Sequence, residues 1–82
     1  MINEQVFYKD LQIFLGQFNN IPNNLSPEQD LFVGGWLQSL ALVSLVVHLE
    51  QQFSVQLNEN DLHEDNFRNM KCIFNLISHK GQ

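Results

Sequence analysis

Ser39-Leu40-Ala41-Leu42-Val43-Ser44-Leu45-Val46-Val47-His48-Leu49-Glu50-Gln51-Gln52-Phe53 is the stretch that decides the fold. Leu42, Leu45, Val46, Leu49 and Phe53 recur at helical spacing and make one apolar stripe, which Leu40, Val43 and Val47 widen. A helix apolar over most of its circumference either lies centrally in a bundle or turns part of its surface to a partner. Ser39, or Gln38 beside it, stands at the N-cap position, where a serine hydroxyl satisfies an unpaired backbone N–H. The pattern predicts a helix over 39–53.

Upstream, Val6, Phe7, Leu11, Phe14, Leu15 and Phe18 share one broad face, so a second amphipathic helix is expected over about 3–18. Asn19-Asn20 and Pro22 end it. From Asn19 to Gln38 the periodicity breaks, with Pro22, Pro27 and Gly34-Gly35 as turn formers. Ser26-Pro27-Glu28-Gln29 has the form of a local capping box. Leu25, Leu31, Phe32, Val33, Trp36 and Leu37 supply apolar anchors, so a loop packed onto the core is expected. Downstream, Val55-Gln56-Leu57 reads as an extended connector, Asn58 to Leu62 as one short helix, and Met70 to His79 as a last helix capped by Asn69. Its inner face carries Met70, Ile73, Phe74 and Ile77, with Lys71 and Lys80 free for solvent. The fold class expected is all-α: a four-helix bundle of three main helices plus a short third one, with a long structured loop between helices 1 and 2.

Eighty-two residues with 44% hydrophobic side chains suit one small domain over 1–82 and exclude two separate cores. The single cysteine excludes an internal disulfide framework and a cysteine-rich zinc site. Four Lys/Arg against nine Asp/Glu leave a net charge of −5, which argues against nucleic acid and anionic membrane as partners. A protein with a basic patch is the better electrostatic match. No apolar run approaches the roughly 18 residues of a membrane span, and Met1-Ile2-Asn3-Glu4-Gln5 lacks a secretion signal, so a cytoplasmic chain is expected.

The chemistry-bearing residues are sparse. His48, His63 and His79 never stand at zinc-ligand spacing, so they read as surface histidines and no metal site is expected. Cys72 has no evident base and reads as a partly buried packing residue. The run Glu59, Asp61, Glu64 and Asp65 lacks the central glycine of a calcium loop and reads as a solvated acidic edge. Gly34-Gly35 lies just ahead of the helix start at Ser39, where free N–H groups would favour a phosphate. No P-loop pattern accompanies it, and no Lys or Arg lies between Lys9 and Arg68. Local chemistry thus leaves two readings of Ser39: an ordinary cap, or a hydroxyl displayed at a helix N-terminus.

The stretch from Leu31 to Phe53 resembles the attachment region of free-standing acyl carrier proteins and the related peptidyl carriers. In that family a Gly-hydrophobic-Asp-Ser-Leu motif opens the second helix, and a Leu-Glu-x-x-Phe signature closes it. Leu49-Glu50-Gln51-Gln52-Phe53 matches the second motif in full, and Asn66-Phe67-Arg68-Asn69-Met70 is similar to the family's approach to its last helix. The order helix, long loop, helix, short helix, helix extends the resemblance over essentially the whole chain.

The resemblance implies a carrier and not an enzyme. A phosphopantetheinyl transferase would attach 4′-phosphopantetheine from coenzyme A to Ser39, flanked by Gln38 and Leu40, and the arm would hold acyl or aminoacyl groups as thioesters. Loading and processing enzymes would be the partners of a monomeric unit, either free-standing or a domain of a larger synthase, meeting it through Trp36, Leu40, Val43, Val47 and Glu50. Leu42 and Val46 could border the arm or belong to the core. Departures from the family pattern include Gln38, which replaces the acid before the attachment serine, and Ser44, which replaces an acid on the second helix. Glu50 is then that helix's only carboxylate. The alternative is an unmodified, carrier-like interaction module in which Ser39 is only an N-cap; a small enzyme is a third reading.

Overall fold

The computed structural model describes residues 3–17, 25–33 and 39–80, with Ser39 and Leu40 by their backbone alone. Among these residues all regular structure is helical: α1 (Glu4–Leu15), α2 (Ser39–Phe53), a 3-10 turn (Glu64–Phe67) and α3 (Met70–Lys80).

Helix α1 starts where Asn3 Oδ1 accepts from the Val6 N–H at 3.1 Å, satisfying a first-turn donor. Its inner stripe is Phe7, Leu11 and Leu15, all buried, with Phe14 packed partly against them. Val6 was expected on this face and is instead 65% exposed. It precedes Phe7 by one residue, and a step of about 100° carries it away from the stripe. The helix also stops at Leu15, with the Gly16 N–H closing on the Gln12 carbonyl at 2.9 Å. Phe18 and the Pro22 region lie outside the described residues.

Helix α2 has the bounds its sequence predicts. Leu45 and Leu49 are fully buried and Ala41 nearly so, while Leu42, Val46 and Phe53 pack from the flank. One face is buried in the core, and Val43 and Val47 on the opposite face are exposed. After Phe53 the chain reverses through Ser54, whose φ of 54° is the left-handed conformation common one residue past a helix end. Glu50 Oε2 then accepts from the Leu57 N–H at 3.0 Å, drawing the extended connector back and burying Leu57.

The short third helix falls later than expected. Asn58 to Leu62 is a turn, because Asn58 and Asp61 bond each other's backbone: Asn58 N–H to Asp61 Oδ2 at 2.9 Å, Asp61 N–H to Asn58 Oδ1 at 3.1 Å. Side chains that bond locally compete with a helix for those groups. The helical turn forms instead at Glu64–Phe67, which puts Phe67 in the core. Asn69 Oδ1 caps α3 through the Cys72 N–H at 2.8 Å, and Met70, Ile73 and Ile77 are buried. Lys80, expected in solvent, pairs with Asp61 at 2.6 Å. Phe7 sits at the junction of the helices, with ring centroids 5.1 Å from Phe53 and 5.3 Å from Phe74.

Candidate functional site

The site is built from the N-terminal end of α2. Ser39 is the first helical residue of α2, and Gln38, the other cap candidate, lies outside the described residues. Burial of Ala41, Leu45 and Leu49 fixes the rotation of α2 about its axis and therefore the side on which its first turn opens. Of the residues expected around the attachment point, Trp36 and Gln38 lie outside the described residues, as does the side chain of Leu40.

The chain approaching Ser39 is pinned through residues 25–33. The Leu25 N–H donates to Gln12 Oε1 at 2.7 Å, which ties the segment to α1. The expected capping box at Ser26 is a single turn: the Ser26 hydroxyl accepts from the Glu28 N–H at 3.3 Å, and the Gln29 N–H closes on the Ser26 carbonyl at 3.0 Å. Leu31 is buried, and its N–H donates to the Arg68 carbonyl at 2.7 Å. Arg68 spans Asp30 and Asp65, with nitrogen–oxygen distances of 3.4 Å and 2.7 Å. Asp30 is held below the usual carboxylate range, first by the Val33 N–H and then by the Phe32 N–H and Arg68. Arg68 drives Asp65 the same way.

Val43 and Val47, named as partner contacts, are 61% and 46% exposed; Leu42 and Val46 are half-buried against the core. Glu50 is half-buried and bound to the Leu57 N–H, so its carboxylate braces the end of α2. The exposed positions of α2 among the described side chains are Val43, Ser44, Val47, Gln51 and Gln52, an uncharged surface.

His48 is not the surface histidine expected. It is half-buried, its Nε2 lies 2.9 Å from Asp10 Oδ2, and Phe14 stacks on the ring at 4.2 Å between centroids. Nine residues of helix put it about 13 Å along the axis from Ser39, too far to act as a base there. His63 and His79 are exposed, and Cys72 is half-buried. Among the described residues no three His, Cys, Asp or Glu side chains gather as a metal site. The acidic run is partly neutralised. Lys80 and then the Asn58 N–H lower Asp61, Arg68 holds Asp65, and Glu59 and Glu64 remain exposed.

Sequence reasoning missed Asp30, Arg68, Asp10 and His48 as paired groups. Only Asp30 carried a local signal, since an aspartate just ahead of a turn commonly accepts from the N–H groups that follow. No helix of the described residues is long and apolar enough to cross a membrane. Comparisons with protein-family models, curated proteins and solved structures find no match.

Proposed function

We propose that this chain is an acyl or aminoacyl carrier, modified on Ser39 with 4′-phosphopantetheine, in a biosynthesis of the fatty acid, polyketide or nonribosomal peptide type. The observation that carries the reading is that Ser39 opens the same helix that the Leu49-Glu50-Gln51-Gln52-Phe53 signature closes. Ser39 opens α2, and Glu50 and Phe53 close it, one bonded to the Leu57 N–H and the other packed on Phe7. The full architecture would be the four-helix bundle with a long structured loop ahead of α2, a single monomeric domain in the cytoplasm.

The residues suit the group. The first turn of α2 has backbone N–H groups without intrahelical partners and the positive end of the helix dipole, which favour a phosphodiester. When bound, the group supplies a thiol that carries cargo as a thioester. Ser39 Oγ takes the phosphopantetheinyl unit from coenzyme A, 3′,5′-ADP leaves, and the hydroxyl proton passes to a base on the transferase. The chain itself contributes position and not acid–base chemistry. Its uncharged α2 surface suits loading and processing enzymes that contact Val43 and Val47 through apolar groups more than through a basic patch.

Incubation with coenzyme A, Mg²⁺ and a broad-specificity phosphopantetheinyl transferase tests the reading. The parent chain gains the mass of one phosphopantetheine, and Ser39→Ala gains nothing. Absence of any gain in the parent and in Gln38→Asp would favour the unmodified interaction module.

A further inference from the structure

Ala41 is the one alanine of the chain. It is 8% exposed, and every other buried residue among those described is Leu, Ile, Met or Phe. A methyl group therefore closes the core at the first turn of α2, where Leu45 and Leu49 close it one and two turns later. Protein interiors are close-packed, so the neighbours of Ala41 stand where a longer side chain would lie. The backbone of α2 accordingly lies nearer the rest of the core at Ala41 than at Leu45 or Leu49.

Ser39 stands two residues ahead, on the same turn of helix. Two residues are a rise of about 3 Å and a rotation of about 200°. Burial of Ala41, Leu45 and Leu49 thus turns the backbone at Ser39, Val43 and Val47, each two residues earlier, away from the core, and Val43 and Val47 are exposed as that requires. The depth of the first turn is set by the one small contact beneath it. A longer side chain at position 41 has no room inward, so it lifts or rotates that turn and carries Ser39 with it. Val47, held through Leu45 and Leu49, keeps its place.

We propose that Ala41 is a positioning residue for the modification of Ser39, its small buried side chain seating the first turn of α2 at the depth from which the Ser39 hydroxyl meets the catalytic centre of the phosphopantetheinyl transferase. The inference rests on the carrier reading above. Displacement of a nucleophile is costly, because group transfer needs the reacting atoms about 3–3.5 Å apart and aligned. The test is the kcat and KM of Ser39 modification by a broad-specificity transferase at saturating coenzyme A, with the urea midpoint of each variant measured alongside.

Ala41→Val lowers kcat about tenfold and leaves KM near the parent value, and Ala41→Leu lowers kcat further. Ala41→Ser, of nearly the parent size, keeps the parent kcat. Ile77→Val opens a small cavity on α3, lowers the urea midpoint and leaves kcat unchanged. The split separates position from stability: unfolding removes substrate and raises the apparent KM, whereas a misplaced Ser39 lowers kcat at saturation. Should Ala41→Leu not fold, Ala41→Val decides. Parent kcat in Ala41→Val, or a fall in Ala41→Ser or Ile77→Val as large as that in Ala41→Val, would overturn the positioning role while the carrier reading stands. A parent chain that stays unmodified, with Gln38→Asp as well, overturns both.

Discussion

His48 Nε2 lies 2.9 Å from Asp10 Oδ2, joining the middle of α2 to α1 across 38 residues of sequence. Phe14, one turn along α1 from Asp10, stacks on the imidazole with the ring planes 18° apart. Both polar partners are partly shielded from water, which strengthens their interaction over that of a fully exposed pair. A double-mutant cycle with His48→Ala and Asp10→Ala, read by urea denaturation, should give a coupling of about 1 kcal/mol. Additive single effects would mean that the contact contributes nothing net.

The apolar residues of α1 and α2 should divide sharply by position. Phe7→Ala empties the junction of the helices and should cost about 3–5 kcal/mol, a large share of the stability of a domain this small. Val43→Ala and Val47→Ala truncate side chains outside the buried stripe and should cost far less, about 1 kcal/mol at most. Thermal unfolding followed by circular dichroism distinguishes them. A loss at Val47 comparable to that at Phe7 would place the exposed face of α2 in the core.

Ser54 holds a positive φ that glycine adopts without a Cβ clash. Ser54→Gly should therefore stabilise the chain by about 0.5–1 kcal/mol in urea denaturation, less whatever flexibility glycine adds to the unfolded state. Ser54→Val should destabilise it. Equal midpoints for the two variants would contradict the left-handed turn.

Acid should loosen the segment ahead of Ser39. Asp30, Asp61 and Asp65 all have folded values lowered from 3.8, through backbone N–H groups and cations. Depressed carboxylates contribute stability that is complete above the unfolded value and lost as pH falls through the folded one. The urea midpoint should thus hold near neutrality and drop below about pH 4. Asp30→Asn and Asp65→Asn should flatten that drop; an unchanged acid limb would remove these groups from the account.

Tyr8 is the only tyrosine, so phenolate absorbance reports it alone. Burial, and then its hydrogen bond of 2.6 Å to Glu4, push it up to about 12 from 10.0. A raised value in an acid means that the neutral form is favoured on folding, so the stability from this group is present below pH 10.0 and lost toward 12. Glu4→Gln should move the native titration back toward 10.0, while a parent curve centred at 10.0 would contradict the contact.

The bounds of α2 were legible because its apolar period is strong and its closing Phe53 packs onto Phe7. Val6 was misplaced because a step of about 100° carries it off the stripe of Phe7, Leu11 and Leu15, and periodicity alone does not choose which of two adjacent apolar residues centres the face. The short helix was misplaced because Asn58 and Asp61 look like caps and in fact bond each other. At the candidate site, the broad apolar girth of α2 left Val43 and Val47 available to a partner, and both are exposed. The pairs Asp10–His48 and Asp30–Arg68 were hidden, since residues this far apart in sequence leave no local spacing to read.

The intact mass of the parent chain and of Ser39→Ala, measured side by side after incubation with transferase, coenzyme A and Mg²⁺, tests the central claim most directly. The account predicts one phosphopantetheine on the parent and none on the variant, with Gln38→Asp modified at least as fast as the parent. A gain that survives in Ser39→Ala would contradict the assigned site. No gain in either the parent or Gln38→Asp, under conditions that modify an ordinary carrier, would contradict the carrier reading itself.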